Sequence, residues 1–556
     1  MSKHIAHIVV GVPVDGPFDY LIPDELVSKA VIGARVHVLF GGLKRVGIVV
    51  GLAGHSSFQK LNRVLAVLDG QPVFTPAFLK FTQELAFRSG CSWGEMLEIA
   101  LPSYLRTPKT IGEYAGSEDS GQRTAGPGKI SLIFDKGLVK RWDVLTPRIR
   151  ATLAAGRSVV CLAPDGNVLM DILPRLKEAA AGAPGVALMP GTDKQEFERW
   201  LKLRSGEARV AAGFISAVFA PVQDPGLMIV IDEEAPAYKH DQSPFYHVRE
   251  AVLLRAQYEG CDVVFVSNAP SIEAWYLAKE KKAELVVLEE EALPAVKFID
   301  LTNFKMKKET WISPALRNHL EAALKDQRKA LLYIQAAKGT MGVVEEVRKY
   351  FPAARVCGYD KASTTLAEGW DVLVATQAVF RHQGKWRADI AAVLGIDFEF
   401  HKNDHGAAHG AYALVQHLRQ MTKGVLFLQT RQMDNTHLHA LADQDHRTFY
   451  EGELKQRAEM DFPPYGALIA IVLRSADPEL ACAEAKRLYD ILVAGCPEGV
   501  VIHEPQQDRA PLVRGKFRHC VMVQSKDIQP AMSWVKAVFK TFRGKKDLIT
   551  TVNVNP

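Results

Sequence analysis

Apolar positions change their spacing along this chain, and each change predicts a different kind of structure. The first hundred residues alternate apolar and polar in the period-two manner of half-buried strands, over 5–12, 35–40 and 46–52, with the turn pair Gly41-Gly42 between the last two. A small β-rich module is expected there. Residues 72–101 move to helical spacing and stop at Leu101-Pro102, where proline ends a helix. From residue 130 to about 430, short unbroken apolar runs recur between helical stretches, at 159–162, 227–231, 263–266, 330–334, 371–374 and 425–428. Runs buried on both faces and spaced by helices predict parallel, doubly wound sheets, arranged as two α/β lobes divided near 293–310. From Phe449 onward a helix at 478–493 and strands at 468–473 and 519–524 predict a compact α+β domain.

Composition adds a linker and a basic tail to this picture. Residues 107–129 turn to Gly, Ser, Thr, Glu and Pro, too polar to bury a core. With 556 residues the chain far exceeds the ~250–300 at which single cores stop growing. The expected division is 1–106, 107–129, 130–295, 296–448 and 449–556. An apolar fraction of 48% without a long uninterrupted apolar stretch, and an N-terminus without a signal-peptide core, point to a cytoplasmic protein with no membrane partner. Seven scattered cysteines without a C-x-x-C pair are expected to be core thiols, and no zinc is expected. The net charge is only +5, yet residues 507–546 carry ten Lys/Arg against Asp508 and Asp527. Such a run is either a solvated face or a nucleic-acid contact.

The chemistry concentrates at Met228-Ile229-Val230-Ile231-Asp232-Glu233-Glu234, an apolar strand delivering carboxylates at its C-terminal end, where open α/β sheets hold ligands. Alone, the acidic run is equally an N-capping turn. Its surroundings are more specific. The stretch GLMIVIDEEAPAYKHDQSPFYHVRE, residues 226–250, resembles the second helicase motif of the primosomal protein N′ (PriA) family of replication-restart helicases, with the Tyr238-Lys239 and Tyr246-His247-Val248-Arg249 elements that follow it. IVVGVPVDGPFDY, residues 8–20, resembles the opening of that family's 3′-end-binding domain. Ala163-Pro164, Ser267-Asn268-Ala269-Pro270, Ala375-Thr376-Gln377 and residues 458–465 fall in family order.

The resemblance implies two RecA-like lobes between terminal DNA-binding domains, and DNA at forks, 3′ ends or single strands as partner. Replication-restart proteins or single-stranded-DNA-binding protein are the further partners it suggests. It places Phe18, Asp19 and Tyr20 at the pocket for a terminal nucleotide, with Asn62 or Arg63 at the position where the family often has a basic residue. Lys239, His247 and Arg249 become DNA-contact candidates. Arg514, Lys516, Phe517 and Arg518 combine charge with an aromatic, as a single-strand surface does. For each of these a plain solvated surface is the alternative.

The departures bear on catalysis. A phosphate loop reads G-x-x-x-x-G-K-[ST], and each Gly-Lys pair here (128-129, 384-385, 515-516, 544-545) is followed by another residue type. The expected loop position reads Phe134-Asp135-Lys136-Gly137-Leu138-Val139-Lys140, and Arg419 is the single arginine of 416–422. The family's D-E-E-H has become Asp232-Glu233-Glu234-Ala235, and its zinc cysteines and winged helix have no counterpart at 336–340 or 107–129. No catalytic residue is expected, Asp232, Glu233 and Glu234 being relics that cap the turn, and no ATP, Mg²⁺ or zinc cofactor. The expected function is a DNA-binding, helicase-like restart or repair protein without helicase activity. Alternatives are an ATP-dependent 3′-5′ helicase with an atypical nucleotide site, and a protein-binding paralogue that modulates restart or recombination.

Overall fold

A computed structural model describes residues 4–111, 128–137, 140–183, 185–188, 193–288, 293–304, 310–335, 337–363, 365–401, 405–542 and 544–556. Strands β1 (Ile5–Val10), β2 (Phe18–Leu21), β3 (Arg35–Phe40), β4 (Leu43–Ala53) and β5 (Asn62–Val67) close into a barrel in the order β1-β2-β5-β3-β4. Closure leaves no unpaired edge. The alternation seen in sequence turns Ile8, Tyr20, Val36, Val38, Val49 and Val64 into its interior.

Two helices follow, α1 (Pro76–Arg88), capped by Thr75, and α2 (Trp93–Ala100), opened by a reciprocal Ser92/Glu95 capping box. α2 stops ahead of Pro102 as the sequence predicts. It approaches β1 so closely that a Cβ on Gly94 would stand 1.8 Å from the Val10 carbonyl oxygen, so only glycine fits. Phe78, Phe81, Leu85 and Leu97 of these helices share one apolar core with Val218, Phe219, Val252 and Phe265 of the next domain. The fully buried Arg35 pairs with Asp69 at 2.6 Å and donates to the Leu105 and Lys109 carbonyls, pinning the chain that leaves the module. Most of the expected linker, 112–127, lies outside the described residues.

The first lobe is a parallel sheet of β6 (Ile130–Asp135), β7 (Ser158–Leu162), β8 (Val186–Leu188), β9 (Val210–Gly213), β10 (Pro225–Ile231), β11 (Asp262–Ser267) and β12 (Glu284–Leu288), in the order β12-β6-β11-β10-β7-β9-β8. Its helices include α3 (Arg141–Ala154), α4 (Val248–Glu259) and α5 (Ile272–Lys279). The second lobe orders β13 (Ala295–Asp300), β14 (Ala330–Tyr333), β15 (Val356–Tyr359), β16 (Val372–Ala375), β17 (Ala388–Val393) and β18 (Thr422–Thr430) as β13-β18-β17-β14-β16-β15, also parallel. β10 is buried along its whole length, the continuous apolar run that a central parallel strand requires. β12 and β13 escape the sequence pattern because they are edge strands, largely exposed.

Helices α6 (Ala407–Gln420) and α7 (His446–Glu459) complete the second lobe. α7 crosses the boundary expected at Phe449: its Phe449, Tyr450 and Leu454 lie in the second-lobe core, and Tyr450 stacks on Trp275 of α5 with ring centroids 4.1 Å apart. The tail domain has β19 (Ala467–Ser475), α8 (Pro478–Ala494), β20 (Val500–Ile502), β21 (Gln506–Val513), β22 (Lys516–Ser525), α9 (Ile528–Thr541) and β23 (Ile549–Val554). Its antiparallel sheet runs β20-β22-β19-β23, with β21 folded back on β22. α8 and α9 pack on one face through Leu488, Leu492, Met532 and Val535. Cys91, Cys161 and Cys261 are buried, but Cys482 is exposed, because α8 buries its neighbours Ala481 and Ala485 and turns Cys482 outward. Among the described residues no helix is long and apolar enough to cross a membrane.

Candidate nucleic-acid interface and the cleft between the lobes

Strand alternation divides Phe18-Asp19-Tyr20 between two faces. Tyr20 points into the barrel, 3% exposed, its hydroxyl donating to the Leu39 carbonyl at 3.1 Å. It is part of the barrel core and offers no face to a base, which removes it from the expected pocket for a terminal nucleotide. Phe18 is half-buried against Phe40, ring centroids 4.8 Å apart. Asp19 projects outward, where it pairs in register with His7 across β1 and β2. His7 Nδ1 lies 2.7 Å from one carboxylate oxygen and the Ser56 hydroxyl donates to the other at 2.5 Å. Burial alone would raise the Asp19 pKa, but these bonds together outweigh it and hold the carboxyl below its usual value. Arg63 is exposed on β5, in register with Leu21, and so shares the outer face with Asp19. His7 and Ser56 carry no sequence signal, since only the strand pairing brings them to Asp19.

Between the lobes the acidic residues after β10 have separate fates. Asp232, at φ 51°, meets Arg141, whose guanidinium lies 3.1 Å from Asp232 Oδ1 and 3.2 Å from Asp135 Oδ2. Arg141 is the first residue of α3, the helix that follows β6. A P-loop puts its lysine at that place, at the start of the helix after the strand. Here a guanidinium 5% exposed is tied down by two carboxylates, with its Nη2 left unpartnered. Leu138 and Val139 of the expected loop lie outside the described residues. Glu233 is fully buried and held at three points: it accepts from the Ser271 amide (2.6 Å) and hydroxyl (2.9 Å) at the start of α5, and from Arg249 at 2.8 Å. The two relic carboxylates therefore do not cap their own turn; one binds α3 and the other secures α5. They leave poor accommodation for a magnesium nucleotide, since the first carboxylate is neutralised by arginine and the second cannot turn toward a water.

The chain of charges then crosses between lobes. Arg249 also pairs with Glu273 at 2.9 Å, and Glu273 with Arg457 of α7 at 3.0 Å. Burial would raise the Glu273 pKa, yet the two arginines bring it down to about 2. On the same interface His409 of α6 meets the Ala269 and Pro270 carbonyls, and Gln420 donates to the Lys136 carbonyl at 3.2 Å. Arg419 is fully buried without a partner, and burial lowers its pKa to about 10.

Glu234 has no hydrogen bond on either oxygen and lies 3.6 Å from His417. Burial, then the charges of Asp232 and Glu233, hold its pKa well above the usual carboxyl value. A raised folded pKa means stability present at low pH and lost as pH rises above the unfolded value near ~4.3. Glu234→Gln should thus gain stability over the parent as pH rises, by up to about 1.4 kcal/mol per pH unit until the folded pKa is passed. Urea denaturation at pH 5.5 and pH 8 checks this; an advantage no greater at pH 8 would refute it.

Two groups of DNA-contact candidates are corrected by their partners. The Lys239 ammonium is bound to the Val554 carbonyl at 2.5 Å, and burial lowers its pKa to about 8. It fastens the tail strand to the first lobe. Arg249 belongs to the buried chain above, and His247 caps α4 by accepting from the Arg249 amide at 3.1 Å, its pKa held well below the usual value by burial. Both are half-buried and committed to partners within the fold. Arg514, Lys516, Phe517 and Arg518 do occupy a surface, on the β21–β22 hairpin whose turn Arg514-Gly515 has both residues at positive φ, 50° and 75°.

The family described as the PriA 3′ DNA-binding domain (3′BD) matches residues 7–102. The replication restart protein PriA of Treponema pallidum is 22% identical, covering 99% of this chain and 98% of its own length. That of Rickettsia conorii is 21% identical over 93% of this chain and 94% of its own. Against that of Bacillus subtilis, 20% identical over 74% of this chain, the chain spans 62% of the relative's length. Among solved structures, RecG bound to a three-way DNA junction shares 14% identity over 60% of this chain and 44% of that one, with a TM-score of 0.37. A likeness of that size adds nothing to what the lobes' own topology establishes.

Proposed function

Because the chain belongs to the PriA family of replication-restart proteins, we propose that it binds DNA at forks and free 3′ ends and holds it as a scaffold in restart or repair, without unwinding by ATP hydrolysis. The observation that carries this reading is Asp19. A carboxylate held below its usual pKa stands on the barrel's outer face beside Arg63, within the stretch similar to a 3′ DNA-binding domain. Each carboxylate oxygen has lone pairs to spare beyond His7 and Ser56, so it accepts a terminal 3′ hydroxyl while Arg63 meets the backbone phosphate. The fully buried, arginine-bound Glu233 and the paired Asp232 support the absence of hydrolysis.

Fork DNA with a free 3′ hydroxyl at the junction should bind more tightly than the same fork ending in a 3′ phosphate, which sets a second negative charge against Asp19. A hydrogen bond to a charged group contributes about 1.5–3 kcal/mol, so the preference is roughly one to two orders of magnitude. Asp19→Ala should erase most of it and leave duplex affinity within about twofold, since it removes no cation. If the parent protein binds both ends equally, the barrel keeps the fold without its ligand, and the protein-binding reading takes its place.

A further inference from the structure

We propose that His7 determines which 3′ terminus the barrel accepts: its ring offers a bare acceptor nitrogen to the terminus when neutral, and a charged donor when protonated. This deepens the 3′-end reading and rests on it. His7 lies on β1 between Asp19 of β2 and Gly51 of β4, its partners in register on either side. Its Nδ1 is 2.7 Å from Asp19, and a Cβ on Gly51 would stand 3.0 Å from its Cδ2, so a residue without a side chain gives the ring its seat. Nδ1 and Cδ2 are the two ring atoms nearest the chain. With both turned to neighbouring strands, Nε2 lies on the far edge, and among the described residues nothing bonds it. The side chain is 35% exposed, which leaves that edge open to a ligand. A mere tie between β1 and β2 would need the 2.7 Å bond, but neither the glycine seat nor the open edge.

An ionised carboxylate only accepts hydrogen bonds, so the proton between the two side chains is on Nδ1. Neutral His7 therefore shows the outside a lone pair on Nε2, and cationic His7 an N–H. The Ser56 hydroxyl accepts from the Phe58 amide at 3.1 Å and donates to the second Asp19 oxygen, which fixes the carboxylate from its other side. Burial opposes the charge on Asp19, but the Ser56 and His7 bonds outweigh it and hold the carboxyl below its usual value. Asp19 thus stays ionised from pH 5.5 to 8, the interval in which imidazoles change charge. Other ionisable groups near the pair are His4 ahead of β1, His55 after β4 and Arg63 on β5. At the ring itself β4 offers only Gly51, its Lys44 and Arg45 lying at the other end, and α2 brings Glu98 to Gly11, beyond the far end of β1. With His7 neutral the pair carries one negative charge, and a terminus with a negative charge of its own meets a carboxylate and a lone pair. With His7 protonated the pair is neutral and turns an N–H outward, so the same terminus is tolerated. A terminal hydroxyl, able to donate to Asp19 in either state, is accepted in both. One unit charge several ångströms away at a protein surface changes affinity by about tenfold.

The test uses the full chain and fluorescein-labelled forks whose junction strand ends in a 3′ hydroxyl or in a 3′ methyl phosphodiester. The diester keeps one negative charge throughout, whereas a terminal monophosphate would itself titrate. Taking the ratio of the two affinities on the same fork cancels changes of charge elsewhere, those of His4 and His55 included. The preference for the hydroxyl should be about tenfold larger at pH 8 than at pH 5.5. His7→Asn keeps an N–H for Asp19 but takes no charge, and should show the pH 8 preference at both pH values. His7→Lys, charged at both, should show the weak preference at both. The inference falls if the parent's preference is the same at pH 5.5 and pH 8, or if either variant retains the parent's pH dependence. It also falls if the variants lower the urea unfolding midpoint while leaving preference and pH dependence as in the parent, which would mark a tie between strands. No preference in the parent at pH 8 would instead bring down the 3′-end reading itself, whereas a preference that ignores pH brings down this inference alone.

Discussion

Incubated with ATP, Mg²⁺ and forked DNA, the protein should release no phosphate above the DNA-free background. The first reason is at the start of α3, where Arg141 is bound between Asp135 and Asp232 in the place of a phosphate-loop lysine. Its charge is spent on carboxylates, and Asp232 correspondingly has an arginine where magnesium would have to be. The second is Glu233, whose oxygens already accept from Ser271 and Arg249 and so cannot orient an attacking water. The third is at the far side of the cleft, where α6 presents His417 beside Glu234. Arg419, the single arginine of 416–422, is fully buried, and a site that lacks an arginine finger turns over about 10³–10⁵ more slowly. DNA-dependent phosphate release that vanishes in Asp232→Asn would show an active site of unfamiliar construction.

Arg249→Met should be among the most destabilising single changes in the molecule, at about 3–5 kcal/mol. It strands Glu233, fully buried, with only the Ser271 donors, and leaves Glu273 to Arg457 alone. Because the chain runs from the first lobe to α7, the contact between lobes should loosen with it. A urea titration followed by tryptophan fluorescence reads both, since Trp275 stacks on Tyr450 across that contact. Adding Glu233→Gln should recover a large part of the loss, since the uncompensated charge goes with it. Full stability in Arg249→Met would overturn the dependence of Glu233 on this counterion.

Much of the architecture was legible where burial is two-sided, although the buried strands β6, β9 and β17 fall outside the apolar runs read from the sequence. β10 and β11 could be read from 227–231 and 263–266 because central parallel strands admit only apolar residues. β12 and β13, half exposed at sheet edges, have no such constraint and no such signal. The helix α7 was assigned to the wrong neighbour because an amphipathic pattern tells that a face is buried without telling against what. Charged candidates fared worst for a related reason. In sequence, Lys239 and Arg249 look like a basic surface, but their carbonyl and carboxylate partners lie 315 and 24 residues away. Tyr20 was misplaced because its neighbour Asp19 faces outward, and the period of a strand sends adjacent residues to opposite sides. Arg141 had a readable clue, its position at the start of the helix after the first α/β strand, which the search for an intact glycine-rich loop passed over.

The apolar core that α1 and α2 share with the first lobe has a consequence for what counts as a unit. A barrel closed by its own hydrogen bonds looks separable, but Phe78 and Phe81 complete their packing only on Phe219, and Arg255 of the lobe lies over the Phe78 ring. Severed at the linker, the N-terminal module would carry an exposed aromatic face and the lobe a matching hollow, so neither half would keep the stability it has in the whole. Cooperativity therefore follows the shared core rather than the connectivity of the sheets. The module similar to a 3′ DNA-binding domain and the first α/β lobe are, in energetic terms, one body.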